Sequence, residues 1–116
     1  MEHGRKYRKL NLYSGKRQGF LKNMAVSLIL NESVKTTDAR AKEVRRYTEK
    51  IITICKDESL ASKKKAYSTL RNSKAVEKLF TALRNRYLER NGGYTRIFKI
   101  GYRAGDGASM CLVTLV

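Results

Sequence analysis

The chain has 116 residues and carries 26 Lys and Arg against 10 Asp and Glu, a formal net charge of +16. A compact domain with that charge repels itself, so the imbalance implies an outside polyanion, and nucleic acid is the densest common one. The length fits one domain. The 41% of hydrophobic residues suffices for a modest core. No apolar run approaches the roughly 18 residues of a membrane span, and none sits at the N-terminus as a signal peptide would. The expectation is a protein that stays in the compartment where it is made.

Residues 1–13 read as a basic leader, in which His3, Arg5, Lys6, Arg8 and Lys9 face a single acid, Glu2. Its Tyr7, Leu10, Leu12 and Tyr13 form no long periodic pattern, and alone it buries too little to offset backbone entropy. Residues 14–116 then read as a single domain. Ser14 is expected to cap a first helix running to about Asn31, with Leu21, Met24, Ala25, Leu28 and Ile29 as its apolar stripe. Lys16, Arg17, Lys22 and Asn23 fall elsewhere, on the expected surface.

The β-branched segment Ser33–Thr37 predicts a short strand. Thr37 is placed to cap a second helix, with Asp38 in a first turn where the helix dipole favours an acid. In that helix Ala41, Val44, Tyr47, Thr48, Ile51, Ile52 and Cys55 recur every three or four residues. Arg40, Lys42, Arg45, Arg46 and Lys50 occupy the other face, with Glu43 and Glu49 as partial partners on a solvated surface. A shorter helix is expected from about Ser59 to Leu70, carrying Lys63, Lys64 and Lys65. A fourth continues through Val76, Leu79, Phe80, Leu83 and Tyr87, and Asn91-Gly92-Gly93 stops it.

The period then changes. Tyr94 to Tyr102 is aromatic and β-branched, Met110 to Val116 is a second apolar run, and Ala104 to Ala108 supplies the turn between them. Helices followed by a closing hairpin imply an α+β two-layer sandwich, one amphipathic helical layer on a small sheet.

The residue types point to RNA contact rather than chemistry. The leader mixes Arg, which forks onto phosphates, with Lys and with Tyr7 and Tyr13, which can stack on unpaired bases. Arg40, Arg45 and Arg46 are candidate phosphate contacts, as are Lys16, Arg17, Lys63 and Lys64. Arg96 and Arg103 flank the hairpin, and Tyr94 reads as a packing residue before a stacking platform. Asp106 lacks any His, Cys or second acid tied to it and reads as a turn residue. Gly105-x-Gly107 is no dinucleotide fingerprint, since no helix follows it. With His3 the only histidine, metal binding is not expected, and Cys55 and Cys111 read as buried reduced thiols.

Particular residues carry more than their classes. Arg8-Lys9-Leu10-Asn11 precedes the first helix, which contains Asn23-Met24 and Ser27-Leu28 and leads to Glu32. Thr36-Thr37 is followed by Ala41-Lys42-Glu43-Val44-Arg45-Arg46. Then come Gly92-Gly93-Tyr94-Thr95-Arg96-Ile97 and Arg103-x-Gly105-Asp106-x-Ala108. This order resembles the bacterial-type large-subunit ribosomal proteins of the L-seventeen family, from His3 to Leu115.

The resemblance implies a fold of helix, strand, three helices and two strands, with all three strands in one sheet. It also implies a non-enzymatic component without cofactors, bound to large-subunit ribosomal RNA near the peptide exit region. Neighbouring ribosomal proteins would be its other partners, at one copy per ribosome, in the cytoplasm or in an organelle. Neither a small-molecule substrate nor a membrane enters that role. The family's basic arm maps onto His3, Arg5, Lys6, Arg8 and Lys9, while Lys42, Arg45, Arg46, Tyr94 and Arg96 match its motifs. A free-standing basic protein that compacts nucleic acid is the alternative that charge alone permits.

Overall fold

The computed structural model describes residues 14–116, with side chains from residue 15 onward. The leader, with Tyr7 and Tyr13, lies outside the described residues. The elements run α1 (Ser14–Asn31), β1 (Ser33–Thr37), α2 (Asp38–Cys55), α3 (Leu60–Leu70), α4 (Ser73–Lys78), a π-helical turn (Leu79–Leu83), α5 (Arg84–Tyr87), β2 (Thr95–Tyr102) and β3 (Ser109–Leu115). The α+β expectation holds. The three strands form one antiparallel sheet in the order β1-β3-β2, so the last strand is the central one.

In α1, Leu21, Ala25, Leu28 and Ile29 are buried, as their spacing requires. Ser14 is the first described residue and lies in α1. The helix ends at Glu32, whose φ of 67° is left-handed and whose amide donates to the Leu28 carbonyl at 2.7 Å. Thr37 sits at the N-cap of α2 with extended backbone, but its side chain makes no capping bond. Ser59 does cap α3, its hydroxyl accepting from the Ser62 amide at 3.2 Å, and Asn72 caps α4 by accepting from the Ala75 amide at 2.9 Å.

The fourth predicted helix is continuous through 73–87 but is not α throughout. Ala75, Leu79, Leu83 and Tyr87 are all buried, each four residues from the last. Four residues of α-helix overshoot one turn by about 40°, so three such steps would rotate Tyr87 about 120° off the core. The slower-winding π turn absorbs that excess. It also lets Lys78 and Arg86 reach one carboxylate, that of Glu32. Arg86 binds it through both guanidinium nitrogens at 2.8 and 3.0 Å, and Lys78 at 3.0 Å.

The core lies between the helices and one sheet face, where Cys111, Val113 and Leu115 of β3 alternate inward. Tyr87 packs on Tyr94 at 5.2 Å between ring centres and donates its hydroxyl to the Val116 carbonyl at 2.8 Å. The Cys55 thiol is buried, donates to the Ile52 carbonyl at 2.9 Å, and burial pushes its pKa up to about 11. Cys111 is buried too, its thiol 3.6 Å from Asp38 Oδ1, and burial again raises its pKa. Register in the β2–β3 hairpin slips once, at Ile100, a bulge followed by Gly101 at φ 114°.

Arg86, then Lys78, hold the Glu32 carboxyl down to about 2 from 4.5. Its stabilisation is therefore complete above about pH 4.5 and is lost as pH falls through about 2. At 39% exposure solvent screens part of it. Glu32→Gln should cost about 1 kcal/mol at pH 7 in urea unfolding, with the difference from wild type closing towards pH 2.

Candidate nucleic-acid interface

The second helix sets the surface. Its buried positions are Ala41, Glu43, Val44, Thr48, Ile51, Ile52 and Cys55, so Lys42, Arg45 and Lys50 project from the opposite side. Lys42 lies 3.5 Å from Asp38 and Arg45 3.6 Å from Glu49, each one helical turn away and each about half exposed. Arg46 is equally exposed, 3.8 Å from Glu43. The Lys42 and Arg45 pairs are open to solvent and worth little, typically under about 1 kcal/mol, whereas Arg46 is held by the buried Glu43. The two exposed pairs orient Lys42 and Arg45 outward without committing them, which suits contact with phosphate.

The Arg40 guanidinium sits over the Phe20 ring, 4.8 Å from its centre, and so joins the helix surface to α1. Lys63, on α3, sits 6.0 Å from the Phe80 ring; Lys64 and Lys65 are exposed beside it, and Lys16 is exposed near the start of α1. Between these helices runs an open cleft of about 390 Å³ lined by Gly15, Gln18, Gly19, Lys22, Tyr47 and Thr69. Gly15 and Gly19 present bare backbone there, since a Cβ at either would meet nothing within 4 Å.

The charged surface continues onto the sheet. Lys99 of β2 and Lys42 of α2 both lie close enough to Cys111 for their charges to oppose the rise in its pKa. Arg96 is exposed on β2, its guanidinium 6.0 Å from the Phe98 ring centre. At the hairpin tip Arg103 is committed locally: it grips Asp106 through two nitrogens, at 3.1 and 2.6 Å. That grip, with the Ala108 amide, holds the Asp106 carboxyl down to about 2.

Two expected surface residues are not on the surface. Arg17 is buried, its guanidinium 3.2 Å from the equally buried Glu43. Alone, the stripe of α1 leaves Arg17 outside; the packing of α2 against α1 covers it. Glu43 correspondingly is no member of a solvated face. Tyr94, read as a packing residue before a stacking platform, is 2% exposed, with one side against Tyr87 and the Lys56 ammonium 5.1 Å over its ring, so it is a core residue and not an RNA contact.

Residues missed from the sequence include Lys35 and Lys99, both exposed. Only the sheet order, which was not legible, shows where they face. Glu49 was missed as an anchor: its Oε2 accepts from the Thr95 amide at 3.2 Å and hydroxyl at 2.8 Å, fixing the start of β2 to α2.

Among the described residues no helix is long and apolar enough to cross a membrane. The family model for Ribosomal protein L17 matches residues 20–116. The chain belongs to the ribosomal protein L17 family. Its role is accordingly that of a structural, non-enzymatic component of the ribosome. A relative from Fusobacterium nucleatum subsp. nucleatum, the large ribosomal subunit protein bL17, is 46% identical over 116 residues, covering 100% of both chains.

The two kinds of cation separate experimentally. Glu43→Gln leaves the Arg17 guanidinium buried without the carboxylate charge and should cost about 3 kcal/mol in chemical denaturation. Lys42→Gln, on the open side of the same helix, should change stability by less than about 0.5 kcal/mol.

Proposed function

We propose that this chain is a structural constituent of the large ribosomal subunit. It binds and stabilises large-subunit ribosomal RNA near the peptide exit region and supports subunit assembly and translation. The exit region, the neighbouring ribosomal proteins as partners, and a single copy per ribosome, cytoplasmic or organellar, are part of this proposal, which membership of the family supports. RNA contact is supported by one observation above the rest: acids tie the elements together, while Lys and Arg line the outward side of α2 and continue across α3 and the sheet.

In this reading the body offers RNA a fixed pattern of charge. Arg40, Lys42, Arg45 and Arg46 face phosphates from α2, with Lys16, Lys63, Lys64 and Arg96 extending the contact to either side. Arg17 and Tyr94 serve the fold that holds them in place, and Arg103 shares its charge with Asp106. The leader, through His3, Arg5, Lys6, Arg8 and Lys9, threads between RNA segments. Drawing those segments together costs phosphate repulsion, which the interposed cations relieve. Because the cations follow the surface of a folded body, recognition reads RNA shape and unpaired nucleotides.

Deleting residues 2–11 should leave the circular dichroism and melting of the body unchanged but sharply reduce incorporation into the large subunit on sucrose gradients. Normal incorporation of the shortened chain would overturn the role of the leader. Equal affinity for duplex DNA and large-subunit RNA in a competition assay at moderate salt would favour a general compacting protein instead.

A further inference from the structure

The register of the sheet sorts its residues into two faces. Val34, Val113 and Ile97 share one row across the strands, and Thr36, Cys111 and Lys99 the next; Val113, Cys111 and Thr36 are buried on the side that carries the helices. The opposite face is built of three other rows: Ser33, Thr114 and Arg96; Lys35, Leu112 and Phe98; Thr37, Met110 and Gly101. Phe98 is 46% exposed there, Lys35 and Arg96 are exposed, and Leu112 and Met110 are half-buried. At the hairpin end Ile100, at the bulge, is exposed as well, while Tyr102, 82% exposed, pairs with Ser109 in a row of the other side.

The occupant of this face must satisfy two conditions. None of the three strands contains an acid, while Lys35 and Arg96 stand in the rows of this face, so the charge selects an anion. The exposed apolar surface is centred on an aromatic ring, so shape selects something flat with a π face. The Arg96 guanidinium lies over that ring, 6.0 Å from its centre, and is within reach of a phosphate once a base takes the ring face. Phe98 and Lys35 stand two strand spacings apart, about 10 Å, with Leu112 between them. That is room for a nucleotide laid across the sheet.

We infer that the outer sheet face is a stacking platform for unpaired nucleotides of RNA, with Phe98 under a base and Arg96 and Lys35 on the flanking phosphates. The inference rests on the RNA-binding reading above and adds to it a site for single-stranded, not helical, RNA. Stacking on a protein aromatic tolerates any base, because each presents a π face. The platform therefore recognises an unstacked conformation rather than a sequence.

The test uses the full chain and a short single-stranded oligouridylate carrying one fluorescent aminopurine, with an RNA duplex of equal length alongside. Wild type and Phe98→Tyr should quench the fluorophore on binding. Phe98→Leu keeps apolar bulk but loses the ring; it should abolish quenching and weaken single-strand affinity about 5- to 150-fold. Duplex affinity and melting temperature should stay as in wild type. Undiminished quenching by Phe98→Leu would overturn the platform, and so would a loss shared equally by the duplex. Normal RNA binding by Phe98→Leu, with failure to enter the subunit, would overturn it in favour of a protein partner on this face. Wild-type binding to whole large-subunit RNA is measured in parallel. Its absence would remove the underlying reading too, whereas its presence with an indifferent Phe98 would remove the platform alone.

Discussion

The fold depends on how a few carboxylates are spent among many cations. Glu43 joins α2 to α1 through buried Arg17, and Glu32 joins the end of α1 to the helix at 73–87 through Arg86 and Lys78. Glu49 joins α2 to the start of β2 through Thr95. Each of these acids bridges elements far apart in sequence. In a chain of net charge +16, an acid facing solvent would only weaken the field offered to a partner. An acid turned inward lowers repulsion where the elements must pack closely and leaves the outer field intact. Cohesion and function thus use opposite signs of charge on opposite sides of the same helix.

Glu32 shows how far this arrangement reaches. A non-glycine residue at φ 67° is an uncommon and unfavourable choice at the end of a helix. The position is nonetheless bound on several sides: its amide closes α1, its carbonyl accepts from the Leu115 amide at 3.0 Å, and its carboxylate collects two cations. Glycine would relieve the backbone and lose the side chain. Here the side chain outweighs the strain, because through it the helix at 73–87 is fixed against the first helix and the central strand.

Much of this was legible in the residues. The periodicity of α2, the β-branched run at Ser33–Thr37 and the glycines of the hairpin each settle local structure with local signals. The π turn was not legible, since Val76, Leu79, Phe80, Leu83 and Tyr87 fit an α-helix and only burial at 75, 79, 83 and 87 reveals a period of four that such a helix cannot keep on one face. Tyr94 was legible as a packing residue; the places of Arg17 and Glu43 were not, for each depends on a second element covering a side that its own element leaves open. The same holds for Lys35 and Lys99, whose faces follow from β3 lying between β1 and β2. Of the candidate interface, the α2 surface could be read from spacing, and the sheet surface could not.

The two cysteines carry a consequence for handling and for redox exposure. The thiolate is the form that attacks alkylating agents and peroxides, and at neutral pH Cys55, with its pKa near 11 and its sulfur buried, offers almost none. Cys111 is shielded in the same manner beneath the sheet. Modification at either sulfur must wait for the interior to open, so the rate at which a thiol reagent consumes them is a clock for the breathing of the protein, read without adding any label.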